Sequence, residues 1–375
     1  MEVGLVDRLK LVNIADAVRK KKGITVDMTL DAIASNITSI PTADNNAKFD
    51  FSKSGSDSST DLIQYLTKID LSGWDTSNVF DMSYMFKDCS SLTSLDLSNF
   101  KTMNVEYMSE MFAGCKSLTS LDVSGFDTSM VTDMLNMFVG CSSLTSLDVS
   151  GFNTSRVTGM ANMFDGCSSL TSLDVSGFNT SNVIDILGMF DGCSSLTSLD
   201  VSGFNTSMAT SMSHMFHGCS SLTSLDVSGF NTSNVGNMMA MFGGCSSLTS
   251  LDVSGFNTMN VKFMGFMFNS CSSLTSLDLS GFNTSKVSEM KSMFEYCSKL
   301  SNLTLGNDWA SNSSIKSFDL SYCPLTHESA VDVINKLATR SNSPVIKFSS
   351  DVGLYQSEID VATNKGWSVS GCTVL

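Results

Sequence analysis

Charge is scarce in this sequence. Asp, Glu, Lys and Arg make up 16% of its 375 residues, against the roughly 25% usual in globular domains, so the surface must be built largely from hydroxyl side chains. Basic residues are the rarer sign: 22 Lys and Arg face 37 Asp and Glu, a net charge of −15. That balance opposes sequence-independent attraction to nucleic-acid phosphates or anionic lipid, and no nucleic-acid partner is expected. No run of eighteen or more apolar residues occurs, which leaves no expectation of membrane insertion. The segment from Met1 to Gly23 lacks the apolar core and small-residue cleavage site of a signal peptide, so export by the general route is not expected. Histidine is limited to His214, His217 and His327. His214 and His217 are three apart and could meet a metal, although paired surface histidines usually bind none. There is no Cys-x-x-Cys pair, Gly-rich phosphate loop, nucleophile elbow or unique carboxylate pair, and the chain reads as non-enzymatic and without a cofactor.

What the sequence does contain is a register. Cys89, Cys115, Cys141, Cys167, Cys193, Cys219, Cys245, Cys271 and Cys297 are each 26 residues apart, Cys323 continues the spacing, and only Cys372 lies off it. Self-similarity at a fixed period is the signature of a repeat architecture in which each unit packs only on its neighbours. Residues sharing one register form a ladder along the stack, so these cysteines are expected as a buried column of free thiols and not as disulfides.

The unit is clearest from Cys141 to Gly166. Leu144, Leu147, Val149 and Phe152 mark a short strand and its exit, Leu147 and Val149 alternating with Ser146, Asp148 and Ser150. After Asn153, Thr154 and Ser155, whose hydroxyls suit a helix N-cap, the apolar residues shift to Val157, Met160, Met163 and Phe164, which is helical spacing. The expected fold is therefore an α/β solenoid: a leucine-rich-repeat-like right-handed coil with one parallel β-sheet and short helices on the other face. Strands stacked at ~4.8 Å would give a sheet roughly 40 Å tall. The expected organisation is a small helical module over residues 1–40, a linker or N-terminal cap over 41–62, nine 26-residue repeats over 63–296, and degenerate repeats with a C-terminal cap over 297–375. The last region carries its own strand and helix patterns at Phe318 to Leu320, Glu328 to Leu337, Val345 to Phe348 and Ile359 to Thr363.

Comparing the units with one another separates fixed from varied positions. Met fills 17 of 18 slots in the two core columns after the turn, Ile186 being the exception, and such a stripe reads as core packing. On the outward face of the strand, Asp70, Asp96, Asp122, Asp148, Asp174, Asp200, Asp226, Asp252 and Asp278 form a column of nine carboxylates. Neighbours at the strand spacing would repel by roughly 3 kcal/mol per pair at an effective dielectric of ~20, or roughly 1 kcal/mol if fully solvated. Three offsets are open: hydrogen bonds from Ser146 and Ser150 and their equivalents with solvent screening the rest, protonation of some of the carboxylates, or a row of bound cations, calcium being the candidate. Without hydrogen bonds or cations, like neighbours should raise the carboxyl pKa values. The varied positions lie on the opposite, non-core face, where Phe263 and Phe266 should be exposed and are candidate contact residues.

The string from Met163 to Phe178, Met-Phe-x-x-Cys-Ser-Ser-Leu-Thr-Ser-Leu-Asp-Val-Ser-Gly-Phe, resembles the BspA-like leucine-rich repeat of bacterial surface proteins in its 26-residue form. The segment Leu11 to Arg19 with Thr29 to Ile33 is similar to an N-terminal module of structural proteins in phages and prophages of Gram-positive hosts, and Leu325 to Ser329 with Ala362 to Trp367 is similar to a C-terminal module found with it. These resemblances imply adhesion: a virion protein, tail-associated, assembled in the host cytoplasm. Its repeat surface would meet a host cell-surface glycan or protein, and its N-terminal module other virion proteins. The alternatives they leave open are a bacterial cell-surface adhesin and a structural spacer.

Overall fold

A computed structural model describes residues 67–69, 71 and 75–375, together with the backbone of the two-residue strand Ala47–Lys48. The expected helical module over 1–40, the rest of the 41–62 segment and Asp70 lie outside the described residues. From Val79 onward the chain winds as a parallel β-solenoid, one coil for each 26-residue unit.

Each coil buries what the sequence pattern marks. In the unit that begins at Cys141, the side chains of Leu144, Leu147, Val149 and Phe152 point into the core, while Thr145, Ser146, Asp148, Ser150, Gly151 and Asn153 are exposed. Val157, Met160, Met163 and Phe164 close the coil from the other side and are completely buried. The phenylalanines from Phe86 to Phe294 form a continuous stack, ring centroids 5.5 Å apart at Phe112–Phe138 and 5.9 Å at Phe216–Phe242. Offset stacking of this kind adds to the transfer free energy of the buried rings. The ladder thiols from Cys115 to Cys297 also donate a hydrogen bond one turn back along the stack, as Cys141 Sγ does to the Phe112 carbonyl at 3.1 Å.

The expected short helices are absent from the repeats. In the Met160–Gly166 segment the N–H groups of Met160, Asn162, Phe164 and Gly166 run along the solenoid axis to the carbonyls of Asp185, Leu187, Met189 and Asp191 in the next coil, at 2.7–3.0 Å. The alternate N–H groups of Met163, Asp165 and Cys167 close tight turns three residues back. A helix would send these donors four residues back within its own coil. What prevents it is a left-handed residue at every fourth position, Asn162 at φ 53° and Gly166 at φ 70°. Glycine is favoured in this column on two counts, its positive φ and the close approach of neighbouring coils, a Cβ on Gly244 lying 3.1 Å from the Cα of Gly218, although Asp88, Ser270 and Tyr296 fill the same register elsewhere. Buried side chains three and one apart fit both a helix and this ladder of turns.

The single sheet also takes a different form. An unbroken column of parallel pairings runs through Asp81, Tyr107, Asp133, Gly159, Asp185, Ser211, Asn237, Phe263 and Glu289, just before the Met-Phe segment. That column begins with a regular pair, β1 (Ala47–Lys48) with β2 (Val79–Asp81); on the Leu-Asp-Val side the regular strands are short, β3 (Ser120–Leu121) pairing β4 (Ser146–Leu147) and β5 (Ser276–Leu279) pairing β6 (Asn302–Leu305), all parallel. The coils between keep the same alternation of buried and exposed residues.

Thr154 is not a helix N-cap. It is buried, its Oγ1 donates to the Asn179 carbonyl at 3.1 Å and accepts the Asn179 N–H at 2.7 Å, so one hydroxyl ties two coils together. Thr102, Thr128, Thr232 and Thr258 make the same pair of bonds.

Beyond Cys297 the stack continues with longer elements. Strand β7 (Ser317–Leu320) pairs β8 (Val345–Phe348), which pairs β10 (Ser368–Ser370); β9 (Gly353–Leu354) pairs β11 (Thr373–Val374). Two helices belong to this region, α1 (His327–Lys336) and α2 (Gln356–Asn364). Thr326 caps α1 by accepting the Ser329 N–H, and Lys365 donates to the carbonyls of Asn335 and Leu337 at its other end. No helix among the described residues is long and apolar enough to cross a membrane.

Candidate functional site

The outward face of the Leu-Asp-Val segment repeats almost without change from coil to coil. Its unit is the exposed set Thr145, Ser146, Asp148, Ser150, Gly151 and Asn153. Alternation places these side chains outward because Leu147, Val149 and Phe152 must point in. The result is a strip of hydroxyls, carboxylates and amides in which Lys68 and Lys101, both in its first coils, are the cations among the described residues.

Much of the strip's chemistry is internal. Asp148 Oδ1 accepts the Ser150 N–H at 3.0 Å and the Ser150 hydroxyl at 2.7 Å. Asp122, Asp174, Asp200 and Asp226 repeat both bonds, while Asp96, Asp252 and Asp278 receive the serine N–H. The serine hydroxyl first, and its N–H second, hold Asp96, Asp122, Asp148, Asp174, Asp200, Asp226 and Asp252 below the ordinary carboxylate value. The expectation that like-charged neighbours would raise these values is therefore corrected: repulsion between fully exposed carboxylates is screened by water, and two short hydrogen bonds to the ionised form outweigh it. The calcium row finds no ligand set either, since no group of three His, Cys, Asp or Glu side chains among the described residues is placed to hold a metal ion.

Ser146 behaves differently from Ser150. Its hydroxyl makes no hydrogen bond to Asp148, and its equivalents Ser120, Ser172, Ser198, Ser224, Ser250 and Ser276 are likewise exposed. Together with the Asp Oδ2 atoms they form the part of the strip that packing and turns leave open to a ligand.

Phe263 and Phe266 are exposed, 40% and 37% respectively, on the varied face. They belong to a different side of the coil from the Asp column, so the structure does not bring the two sets of candidate residues together.

A third constellation is absent from the sequence reading. Asp165, Asp191 and His217 occupy the same position in three successive coils, and His217 Nδ1 lies 2.7 Å from Asp191 Oδ1. Half-burial, then the charge of Asp191, push the Asp165 carboxyl up to about 6. The hydrogen bond to Asp191 raises His217, while burial lowers His214, whose ring meets that of His217 edge-on. The signal was available in the 26-residue spacing of the three residues, but their position is one where side chains vary.

Among solved structures the chain is similar to one from Listeria monocytogenes, titled "Functional domain of InlJ from Listeria monocytogenes includes a cysteine ladder". The two are 19% identical, with 82% of this chain and 75% of that one covered, at a TM-score of 0.29. No curated protein matches. A family described as "Mycoplasma protein of unknown function, DUF285" matches residues 62–146, 108–224, 132–248 and 210–320. These overlapping matches run through the coils from Cys89 to Cys297 and cover more than half of the sequence, and the chain belongs to that family.

Proposed function

We propose that the chain is a non-catalytic recognition protein whose repeated strip binds a repetitive ligand, a host envelope glycan. The observation that carries this reading is the Ser146-type hydroxyl with the Asp148-type Oδ2. Both recur coil after coil on an exposed surface, although no bond within the fold requires the hydroxyl. The fixed Ser150 and Asp148 Oδ1 have a structural reason, their mutual hydrogen bonds, and do not count toward a ligand. A row of equivalent acceptors and donors at a constant spacing suits a polymer, because weak contacts at each coil accumulate through effective concentration.

The setting we propose is the surface of a phage particle, with the N-terminal segment as the attachment to other virion proteins; the resemblance of the flanking segments supports it. A bacterial cell surface is the second setting, supported by the cellular origin in the description of the matched family. Pull-down of the purified chain with isolated cell envelopes of Gram-positive bacteria tests the binding. Replacing Asp148, Asp174 and Asp200 together by Asn should leave the fold intact and weaken retention, and undiminished retention by the folded variant would place the contact elsewhere.

A further inference from the structure

Between Ser117 and Val261 the sequence holds a single basic side chain, Arg156; then Lys262, Lys286 and Lys291 arrive on two adjacent coils. The first of these coils carries two exposed phenylalanines, Phe263 and Phe266. Phe263 lies in the column of parallel pairings, where Tyr107 is the other aromatic residue, and Phe266 in the left-handed column, where the other coils have Tyr84, Glu110, Asn136, Asn162, Gly188, His214, Ala240 or Ser292. A bulky residue at φ 59° is unfavourable. Here the ring gains little packing in return, being 37% exposed, with Phe263 at 40% and Met259 at 55% in the same coil. The left-handed backbone is common to every coil, so what sets this one apart is two aromatic rings left exposed together, and exposed apolar groups of this kind are grounds for a functional hypothesis.

The neighbouring groups supply polar chemistry around the two rings. Phe263 pairs with Glu289, the Phe266 N–H donates to the Lys291 carbonyl at 2.9 Å, and the Ser288 N–H donates to the Lys262 carbonyl at 2.9 Å, so these six residues adjoin across two neighbouring coils. Gly265 stands between the two phenylalanines, and the Glu289 carboxylate occupies the space that a side chain there would fill. Its Oε1 is fixed by the Lys291 N–H at 2.6 Å. Lys286 Nζ is engaged by Asn260 Oδ1; Lys262 and Lys291 are exposed and in no ion pair among the described residues.

We propose that Phe263, Phe266, Glu289, Lys262 and Lys291 form a subsite for a sugar ring bearing an anionic substituent, separate from the repeated strip. The aromatic faces cover the C–H face of the ring, the carboxylate accepts a ring hydroxyl, and the lysines pair the acidic group. Two exposed lysines beside one carboxylate give this place a net positive charge on an acidic molecule. The Asp column lies on another face, and at 0.1 M salt charges beyond about 10 Å are largely screened, so the overall −15 does not prevent an anion from binding here.

The test is fluorescence anisotropy with the full chain and four labelled probes: a heparin octasaccharide, a dextran octasaccharide, inorganic polyphosphate and poly-glutamate. Heparin should bind most tightly, with the other three at least about tenfold weaker, a gap of about 1.4 kcal/mol. The double variant Phe263→Ser, Phe266→Asn should weaken heparin binding about tenfold or more without lowering the melting temperature, because Asn suits the left-handed backbone and both rings are exposed. Lys262→Gln with Lys291→Gln should remove the preference over dextran. Asp148→Asn, Asp174→Asn and Asp200→Asn should leave heparin binding unchanged, which separates this site from the repeated strip. Absence of heparin binding overturns the proposal. So does polyphosphate or poly-glutamate bound as tightly as heparin, or a double phenylalanine variant that binds as the parent does.

Discussion

Replacing Thr154 by Val keeps the side-chain shape and removes the hydroxyl that joins two coils. Oγ1 donates to the Asn179 carbonyl at 3.1 Å and accepts the Asn179 N–H at 2.7 Å, and the residue is buried. A satisfied hydrogen bond contributes about 1 kcal/mol, and a part-buried N–H left without a partner costs about 1–3 kcal/mol. Thr154→Val should therefore cost about 2–4 kcal/mol. Thr154→Ser keeps both bonds and loses one methyl group, about 1 kcal/mol by transfer. In a solenoid the loss falls on one interface between neighbours. Urea unfolding followed by circular dichroism should show the Val midpoint shifted clearly below the Ser midpoint, with unchanged slope if the transition stays single. Val and Ser variants of equal stability would refute the inter-coil role. They would return Thr154 to a residue serving only its own coil.

The buried thiols from Cys89 to Cys323, with Cys141 pushed up to about 12 by burial, should resist titration in the native protein, and denaturant should expose all eleven; rapid reaction of several native thiols would contradict the ladder. The Asp column is depressed when folded, so its contribution is present above the unfolded value near ~3.9 and lost as pH falls through the folded values. The melting temperature should drop in that acid range, and less steeply when Ser124, Ser150 and Ser176 are changed to Ala. Asp165 runs the other way: raised to about 6, it loses its favourable contribution as pH climbs from ~4 to 6. His217, also raised, loses its own as pH passes its folded value. Asp165→Asn should flatten the decline in melting temperature between pH 4 and 7, and an unchanged pH profile would remove the assignment.

The inward set was legible because alternation is a direct record of burial: Leu144, Leu147, Val149, Phe152 and the cysteines all lie where their periodicity puts them. The conformation of the Met160–Gly166 segment was not, since buried positions three and one apart satisfy a helix and a ladder of turns alike. The distinguishing signal was the recurrent Gly166 with Asn162, residues that tolerate positive φ and disfavour a helix interior. The Asp column was legible as a column but not in its electrostatics. Pairwise repulsion can be written from spacing alone, whereas the Ser150 hydroxyl at 2.7 Å depends on a local turn. Asp165, Asp191 and His217 escaped for the opposite reason, because three different coils must be superposed before the cluster exists. Phe263 and Phe266 were legible as exposed, but the approach of Glu289 to Gly265 is a fact of stacking.

The central claim, that successive coils present equivalent sites to one repetitive ligand, is tested most directly by removing coils in register. Deleting residues 141–166, and then 141–192, takes out one and two whole units while leaving every ladder continuous and the Phe263 region intact. Retention of these shortened chains on bacterial envelopes should fall with each coil removed, more steeply than in proportion to the coils lost, as expected of contacts that act together. Retention that stays constant while circular dichroism shows the shortened chains folded would contradict the claim.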